Sequence, residues 1–410
     1  MITAHQYKLR PNQKQASQLE DWLSLLRMEY NWRRAERFNW FEFNRSPVNS
    51  CSLVSCSIAA IVKQPDYYGQ KKDLRNTKKL FPEYAGIHSQ VLLNCIERVK
   101  KAFDRYIKAN SSGKRSGKLR FKGRGRSHSF TYTQMKEDCI KGNRITLPKI
   151  GGVKIILHRP IPDGFKIQTA TIVFAADGYH LTLTLQDESV PVISPDFYPE
   201  KVVGIDMGLN EFLNTSEAHT VPIPQFARKA GQVEKRLNKS VFRKKKGSNR
   251  RGKAVKRLSI YHQKVAGQGK DFHYKTAKQL LDRYDLIGFE DLKVKGWAET
   301  SFAKSILDAG WSEFLAIVAC KAQTAGKMAI AVNPNGTTQN CSSWGTCIPK
   351  TIANRWHSCH LCGLELDRDV NAAINVKNFA VGRTVIKASL CVSYADAGLA
   401  QKSTLYSSTS

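Results

Sequence analysis

The sequence predicts a mixed α/β protein with three parts: a helical unit, a small β-barrel, and a domain whose apolar strands end on acidic residues. Apolar residues recur at helical spacing in the first hundred residues, which indicates amphipathic helices. A hairpin signal near residue 177 indicates the β-barrel, and short apolar runs ending on Asp206 and Glu290 indicate the third part. The 410 residues are enough for several such parts.

The charge of the chain indicates a nucleic-acid partner. The sequence has 65 Lys and Arg against 34 acidic residues, a net charge of +31. Phosphates release counterions when Lys and Arg neutralise them, so nucleic acid matches such a surplus best. A membrane is not expected as a partner, because the longest apolar run, 314–320, is far shorter than the ~20 residues that span a bilayer. The start of the chain has no apolar core of the signal-peptide kind, so we expect a cytoplasmic protein.

The first part is expected to be a helical unit over 11–110. A short strand precedes Pro11 and Asn12, which suit the start of a helix. Apolar residues then follow helical spacing from 13 to 43, and again from 87 to 108. We therefore expect two long helices in this unit.

A Gly- and Ser-rich basic segment over 111–126 follows the helical unit. Such a segment is either a solvated linker or a nucleic-acid-binding loop. The net charge favours the loop, in which glycines let the backbone approach phosphates and Phe121 stacks on a base. The basic residues predicted to contact nucleic acid there are Lys114, Arg115, Lys118, Arg120, Lys122, Arg124 and Arg126.

The predicted β-barrel takes residues 1–10 and 111–195. Asp177 and Gly178 lie between two strand-like runs, the second of which alternates apolar and polar residues. An Asp-Gly pair in that context is a strong signal for a β-hairpin. Residues 190–200 hold three prolines and are expected to form a linker.

The third part begins near residue 196 and combines apolar strands with a basic helical stretch. Strands at 202–206 and 286–290 each end on an acid, and another strand is expected at 328–332. Residues 228–257 hold fourteen Lys or Arg and one Glu, which predicts a long basic helix interrupted by a Gly-Ser-Asn turn. The basic residues predicted to contact nucleic acid there are Arg243, Lys244, Lys245, Lys246, Arg250 and Arg251.

Three acids are the candidate catalytic residues. Asp206 and Glu290 end strands, and Asp369 begins an Ala- and Ile-rich helix. Any one of them alone is typical of a surface carboxylate, and the neighbouring Asp367 and Asp291 could each be a helix cap or a loop charge. Three carboxylates brought to one sheet edge would repel unless cations neutralise them, and hard oxygen ligands select Mg²⁺ or Mn²⁺. Two such ions are the usual device for phosphodiester cleavage.

A cysteine cluster in the C-terminal part predicts a zinc site. Of the ten cysteines, four lie close together in the sequence: Cys341, Cys347, Cys359 and Cys362. In a basic chain without a secretion signal, a local cluster indicates metal binding rather than disulfides. The other six cysteines are expected to be small buried apolar residues.

The motifs around the acids resemble those of a known family. Residues 204–208, GIDMG, resemble the first motif of a RuvC-like nuclease of the RNase H fold type, 287–292 resemble the second, and 367–375 resemble the third. A zinc-ribbon-like segment lies between the second and third motifs. In this order the chain resembles the TnpB/OrfB family, transposon-encoded proteins related to miniature type V CRISPR effectors. The resemblance covers nearly the whole chain and is most specific over 201–380.

The resemblance implies a mixed α/β fold with a helical recognition unit, a β-barrel wedge and an RNase H-like RuvC nuclease domain that carries an inserted zinc-ribbon-like segment. The implied domains are a helical recognition domain at 11–110, a wedge at 1–10 and 111–195, a nuclease domain at 196–335 and 366–410, and a zinc-ribbon-like insertion at 336–365. The C-terminal tail from about 388 is expected to be disordered.

The resemblance also implies a function. Proteins of this family are RNA-guided DNA endonucleases that bind an RNA from the end of their own element and cut DNA beside a short transposon-adjacent motif. The implied partners are a guide RNA, double-stranded target DNA and a separate transposase of the same element, in the nucleoid of a prokaryotic cell. By motif match, Asp206, Glu290 and Asp369 would hold two Mg²⁺ or Mn²⁺ ions.

The first cysteine knuckle departs from the family pattern. Trp344 stands where the second cysteine belongs, and Trp cannot bind zinc. Two alternatives remain open. Either Cys347, or a histidine such as His357 or His360, completes a distorted site, or the ribbon binds zinc poorly or not at all.

Two other functions compete with a guided nuclease. A relative that binds RNA and DNA without cutting is supported by the altered knuckle, whereas the presence of all three acids favours cutting. A transposase that moves DNA itself would use a similar fold, but the family resemblance assigns that step to a separate enzyme.

Overall fold

The computed structural model describes residues 2–44, 63–108, 113, 116–123, 125–136, 138–161, 163–187, 201–292, 303–351 and 354–382. The chain divides into two compact units, Met1–Ser189 and Val190–Ser410. The predicted linker at 190–200 and the predicted tail from about 388 lie outside the described residues. No helix in the described part of the chain is long and apolar enough to cross a membrane.

The first unit is built on a seven-stranded antiparallel sheet that curls into a half-barrel. Its strands are β1 (Ile2–Arg10), β2 (Ser129–Tyr132), β3 (Ile140–Lys141), β4 (Arg144–Leu147), β5 (Gly151–Ile156), β6 (Lys166–Ala175) and β7 (Gly178–Gln186). The strand order is β2-β6-β7-β1-β5-β4-β3, so the N-terminal strand lies in the middle of the sheet. β1 therefore joins two segments that are far apart in the sequence.

The hairpin predicted at Asp177 and Gly178 is confirmed. β6 and β7 pair in antiparallel register up to Ala175 and Gly178, and Gly178 has a φ of 125°, which favours glycine. The Asp177 carboxylate accepts a hydrogen bond from Lys8 Nζ at 2.8 Å. This contact ties the turn to the neighbouring strand β1.

The helices of this unit share one core with the sheet. They are α1 (Gln13–Asn44), α2 (Tyr67–Leu80), a 3-10 turn (Pro82–Gly86) and α3 (Ser89–Ile107). The Asn12 side chain accepts from the N–H of Gln15 at 2.8 Å, and the Gln15 side chain accepts from the N–H of Asn12 at 3.1 Å, which caps α1 reciprocally. Trp22 of α1 packs against Phe130 of β2, with ring centroids 5.6 Å apart. The helices and the half-barrel therefore bury each other's apolar faces.

The second unit is built on a mixed five-stranded sheet. Its strands are β8 (Val202–Met207), β9 (Glu211–Thr215), β10 (Thr220–Pro222), β11 (Leu286–Glu290) and β12 (Met328–Val332), in the order β10-β9-β8-β11-β12. The described helices are α4 (Phe226–Phe242), α5 (Asn249–Arg283), α6 (Ala303–Ala309), α7 (Trp311–Thr324) and α8 (Arg368–Ala380). A small hairpin of β13 (Trp356–Ser358) and β14 (Glu365–Asp367) precedes α8.

Different helices cover the two faces of this sheet. Val203, Ile205 and Ile287 are buried in a cluster with apolar residues of α5 and α7. Successive side chains of a strand point to opposite faces, so the alternating positions of β8 and β11 face away from that cluster. Helix α8 packs on that other face.

The predicted basic helix with an interrupting turn is confirmed as a helical hairpin. Its arms are α4 and α5, and the turn spans 243–248. The Ser248 side chain accepts a hydrogen bond from the N–H of Arg251 at 3.2 Å and caps the second arm.

Candidate functional site

A pair of glycines lets helix α8 lie directly on the sheet. Gly204 and Gly288 are register partners on the parallel strands β8 and β11. A Cβ added to Gly204 would lie 2.0 Å from the backbone oxygen of Ala373 in α8, which is too close for any side chain. Helix α8 therefore contacts the strands two positions before Asp206 and Glu290.

The acidic residues of the two strands point to the same face as the glycines. Phe289 and Ile205 are register partners, so Glu290 and Asp206 follow side by side near the carboxyl ends of β11 and β8. Asp369 lies in the first turn of α8. Burial and the nearby charges of Glu290 and Asp369 raise the pKa of Asp206 well above its usual range. The structure thus brings together the three acids that the sequence singled out.

Glu290 is the most buried of the three acids, with 7% of its surface exposed. Burial raises the pKa of its carboxyl group, and a hydrogen bond from Thr337 partly opposes that effect. The Thr337 hydroxyl donates to Oε1 of Glu290 at 2.5 Å. One carboxylate oxygen of Glu290 is therefore engaged by a neutral donor.

Asp367 and Asp369 have different roles, although only one residue separates them. Asp367 is the N-cap of α8, and its Oδ1 accepts from the backbone N–H of Asp369 at 2.8 Å and of Val370 at 3.2 Å. Asp369 instead forms ion pairs with Arg355 at 3.1 Å and Arg368 at 3.0 Å. Of the two roles left open for Asp367, the structure shows the helix cap, and Asp369 contributes to the acidic group around Asp206.

The residue types of the three acids suit hard divalent cations, although their carboxylate oxygens do not form a group within 4.8 Å of one another as the cysteine sulfurs do. Within the described part of the chain, no donor hydrogen-bonds the side chain of Asp206, although the charges of Glu290, Asp369 and Asp367 raise its pKa. The carboxylate of Asp206 therefore needs a positively charged partner, because like charges repel strongly in a partly buried site. Asp206, Glu290 and Asp369 supply the oxygen atoms that Mg²⁺ and Mn²⁺ prefer. Such a group can support hydrolysis of a phosphodiester bond.

A second candidate site contains three cysteine sulfurs. The Sγ atoms of Cys341, Cys359 and Cys362 all lie within 4.8 Å of one another. Cys341 and Cys359 are buried, and Cys341 and Cys362 are 3.5 Å apart. Three thiolates at such distances could hold a zinc ion, which is usually bound by four ligands in structural sites.

The two knuckles have the same backbone hydrogen bonds. In the first, the N–H of Gly345 donates to Cys341 O at 2.7 Å, and the N–H of Cys341 donates to Thr346 O at 2.8 Å. In the second, Gly363 and Leu364 make the corresponding bonds with Cys359 at 2.8 and 2.9 Å. The first knuckle has therefore kept its turn. Trp344 occupies the position that Cys362 has in the second, and 55% of Trp344 is exposed.

The predicted fourth ligands are not part of the cysteine group, so the four-sulfur set is corrected to three sulfurs. Cys347 lies beyond the knuckle turn in a β-bridge with Asn340, and its sulfur is in a disulfide bond, contrary to the metal-binding role expected for it. His360 is exposed, and Nδ1 of the buried His357 contacts Lys350. Position 344 corresponds to Cys362 in the knuckle turn, whereas position 347 already belongs to the following bridge.

Restoring a cysteine at position 344 should complete the zinc site. Trp344→Cys is expected to bind one zinc ion per chain at least about 10-fold more tightly than the unmodified chain. Removal of a residue that only hydrogen-bonds a metal ligand already lowers metal affinity by about 10-fold, so a direct ligand should contribute at least as much. Zinc affinity would be measured on chelator-treated protein by competition with a chromophoric chelator.

The matched control for this experiment is Ser343→Cys, which adds a thiol at the exposed neighbouring position. The added thiol at 343 should leave zinc affinity unchanged, because position 343 corresponds to Leu361 of the second knuckle and not to a cysteine. Equal affinity of the unmodified chain and Trp344→Cys would contradict a three-sulfur site.

The basic residues predicted over 111–126 have different environments. Lys114, Arg115 and Arg124 lie outside the described residues. Arg120 and Arg126 are exposed, and Lys118 forms an exposed ion pair with Glu42 of α1. These three described residues are accessible to a polyanion.

Lys122 was predicted to contact nucleic acid, but in the structure it packs against α1. Its ammonium lies 3.7 Å from the centroid of the Tyr30 ring, and burial lowers its pKa. Its backbone N–H donates to the side chain of Asn31 at 2.8 Å. Lys122 therefore anchors the segment to α1. Next to it, Phe121 is 56% exposed, and the guanidinium of Arg34 lies 4.0 Å from its ring centroid.

Two of the predicted basic residues in and beside the α4–α5 turn are held by hydrogen bonds to nearby residues. Arg251 donates to the backbone oxygens of Val241 and Lys244, both at 3.1 Å, and Lys244 Nζ donates to Ser240 O at 2.8 Å. The other predicted basic residues of this turn are exposed: Arg243, Lys245, Lys246 and Arg250. These four are the better candidates for phosphate contacts.

Three residues around the acids were not predicted from the sequence: Thr337, which contacts Glu290, Arg355, which contacts Asp369, and Asn375, which holds Thr337. Asn375 carried a signal, because it closes the third motif at 367–375. Thr337 and Arg355 lie in segments without a regular pattern, so their proximity to the acids arises only from the tertiary fold.

Three family models match separate parts of the chain. The OrfB_IS605 model, described as a probable transposase, matches 185–301, and the Cas12f1-like TNB domain model matches 311–376. A helix-turn-helix domain model matches 1–46, and in the described residues 2–44 of that range the structure has the strand β1 and the helix α1. The matches at 185–301 and 311–376 include Asp206, Glu290 and Asp369.

Curated relatives match most of the chain. A protein of Streptomyces pristinaespiralis, named for an inferred activity as an RNA-guided DNA endonuclease, is 26% identical over 379 residues, 91% of this chain and 88% of the relative. The similarly named InsQ of Escherichia coli strain K12 is 25% identical over 316 residues, 73% of this chain and 75% of the relative.

A solved structure has a similar fold. The cryo-EM structure of a Cas12f1–sgRNA–target DNA complex matches with a TM-score of 0.52 at 14% identity, covering 90% of this chain and 83% of that protein. The mixed α/β fold predicted from the sequence is thereby confirmed.

Proposed function

We propose that the chain, a protein of the TnpB/OrfB family, is an RNA-guided DNA endonuclease that cuts DNA beside a short transposon-adjacent motif. The observation that carries the proposal is the group formed by Asp206, Glu290 and Asp369 within motifs that resemble those of RuvC-like nucleases. The net charge of +31 supports it, since the chain would hold an RNA and a DNA strand at once.

The three acids would hold two Mg²⁺ or Mn²⁺ ions. When bound, such ions supply an activated water and neutralise the charge that develops on the leaving 3′ oxygen. Asp206 and Glu290 are held rigidly by neighbouring parallel strands, and Asp369 is held by the helix resting on them. The chain thus provides ligands at fixed positions, which is the main requirement of phosphoryl transfer.

Two arginines balance the charge of the site. Arg355 and Arg368 pair with Asp369, so part of the negative charge is already neutralised without any cation. Arg355 is 45% exposed at its side chain and can move towards solvent when Asp369 takes another partner. We expect Arg355 to be the more easily displaced of the two, because the side chain of Arg368 is only 13% exposed.

The RNA that co-purifies with the chain provides the direct test. We expect one predominant RNA species, and we expect the complex with Mg²⁺ to cut duplexes that match the RNA guide next to one short flanking motif. The RNA would be sequenced, and a target library with randomised flanks would be digested and its products sequenced. A duplex with a scrambled guide match is the control and should remain uncut.

The outcomes separate the three candidate functions. Stable binding of the matching duplex without cutting would favour a guided DNA-binding protein. Movement of element DNA by this chain in the absence of any other element protein would favour a transposase. Cutting that ignores the RNA sequence would contradict guided cleavage altogether.

A further inference from the structure

Thr337 links the segment before the first cysteine knuckle to the acidic group. Thr337 is 1% exposed, and its hydroxyl donates to Oε1 of Glu290 at 2.5 Å. The same hydroxyl oxygen is 2.9 Å from the backbone oxygen of Pro334. A hydroxyl has one hydrogen, and a carboxylate is the stronger acceptor, so the proton belongs to the bond with Glu290.

Thr337 is itself held by the helix that carries Asp369. The side-chain amide of Asn375 in α8 donates to Thr337 O at 2.8 Å and to Asn340 O at 2.7 Å. Asn375 is 1% exposed, so these bonds have little competition from water. Helix α8 therefore fixes the backbone of Thr337, and Thr337 fixes the carboxylate of Glu290.

This arrangement leaves one oxygen of Glu290 for another partner. The Thr337 hydroxyl holds Oε1, and within the described residues no hydrogen bond to Oε2 is present. A carboxylate at the end of a strand can otherwise rotate about its side-chain bonds. A single fixed donor sets the plane of the carboxylate and therefore the direction of the second oxygen.

We propose that Thr337 is a positioning residue that orients Glu290 for binding of a divalent cation, an inference that rests on the proposed nuclease function. Its hydroxyl does not touch the reacting DNA. It acts through Glu290, and the buried amide of Asn375 keeps it in place.

Removal of the hydroxyl should weaken cation binding. In the RNA-bound full chain, Thr337→Val is expected to raise both the Mn²⁺ dissociation constant and the Mg²⁺ concentration for half-maximal cutting by about 10-fold or more. The cutting rate at saturating Mg²⁺ should largely recover. Mn²⁺ binding would be measured from the electron paramagnetic resonance signal of free Mn²⁺.

Two further variants separate positioning from a structural effect. Thr337→Ser keeps the hydroxyl and should bind Mn²⁺ as the unmodified chain does. Thr338→Val removes the neighbouring hydroxyl and should have no effect. If the melting temperature of Thr337→Val is too low for the binding measurement, Thr337→Ala is used instead, because it removes the hydroxyl without adding bulk.

The experiment distinguishes this inference from the proposed function. An unmodified chain that binds Mn²⁺ in a Thr337-dependent manner but never cuts DNA would refute the nuclease and keep the positioning role. A chain that cuts DNA, with unchanged Mn²⁺ binding in both hydroxyl-free variants, would overturn the positioning role. A lower melting temperature with unchanged Mn²⁺ affinity would likewise make Thr337 purely structural.

Discussion

Asp206→Asn should reduce DNA cutting by on the order of 10³-fold while RNA and DNA binding stay unchanged, because the substitution removes one cation ligand and no nucleic-acid contact. The rate would be measured under single-turnover conditions with the co-purified RNA and a matching duplex. Binding would be measured separately by filter retention in the presence of Ca²⁺. Cutting at the normal rate by the variant would contradict the role of Asp206.

The same substitution should stabilise the protein when no divalent cation is present. The pKa of Asp206 is raised in the folded chain by burial and by Glu290 and Asp369. When the pKa of a carboxyl group is higher in the folded than in the unfolded chain, the group contributes stability at pH values below the pKa of the unfolded chain. That contribution is lost as the pH rises through the pKa of the folded chain. Neutral pH lies above the usual pKa of an unfolded Asp, so the Asp206 carboxyl group opposes folding there, and Asn removes that effect.

Melting curves can test this effect on stability. In EDTA at neutral pH, Asp206→Asn should melt at a higher temperature than the unmodified chain. Added Mg²⁺ should raise the melting temperature of the unmodified chain more than that of the variant, because a ligand stabilises the state that binds it. Asp291→Asn is the matched control, since Asp291 is an exposed acid directly after Glu290 and should behave as the unmodified chain does.

Gly204→Ala should destabilise the second unit by about 3 kcal/mol or more, because the added Cβ would overlap the backbone of α8. The Cβ would lie 2.0 Å from Ala373 O and 2.4 Å from Lys377 N, and neither backbone atom can move without shifting the helix. Since Asp369 begins the same helix, cutting should be lost together with stability. Urea unfolding followed by tryptophan fluorescence would measure the change.

Two other glycines provide comparisons for this prediction. Gly288→Ala should be less harmful, since its nearest obstacle is the Cβ of Ala380, at 2.7 Å, near the end of α8. Gly231→Ala in α4 meets nothing within 4 Å and should stabilise the helix by about 0.5–1 kcal/mol. A Gly204→Ala variant as stable as Gly231→Ala would mean that α8 does not rest on β8.

Strong local patterns allowed much of this fold to be predicted. The Asp177–Gly178 hairpin, the two strands that end near acids and the basic helical hairpin each depend on residues that are neighbours in the sequence. The helical cap at Asp367 is also local, because the cap bonds to N–H groups two and three residues away. Such features follow from short-range chemistry alone.

The remaining features depend on contacts between distant segments. Thr337 contacts Glu290 although 47 positions separate them in the sequence, and no periodic pattern predicts this contact. Lys122 is withdrawn from solvent because Tyr30 and Asn31 of α1 lie beside it, which its basic neighbours in the sequence do not reveal. The cysteine spacing suggested four sulfurs, but the turn geometry directs only three of them to one point.

The two glycines beneath α8 matter for deciding which related genes still encode an active protein. Under the proposed function, a copy of the gene is expected to encode an active enzyme only where the three acids are present and are held close together. A copy that keeps all three acids but has gained a side chain at position 204 would still have the cation ligands. It would lack the close packing of α8 on β8 that brings Asp369 towards the other two acids. The glycine at 204 should therefore be inspected together with Asp206, Glu290 and Asp369 when active copies are distinguished from relics.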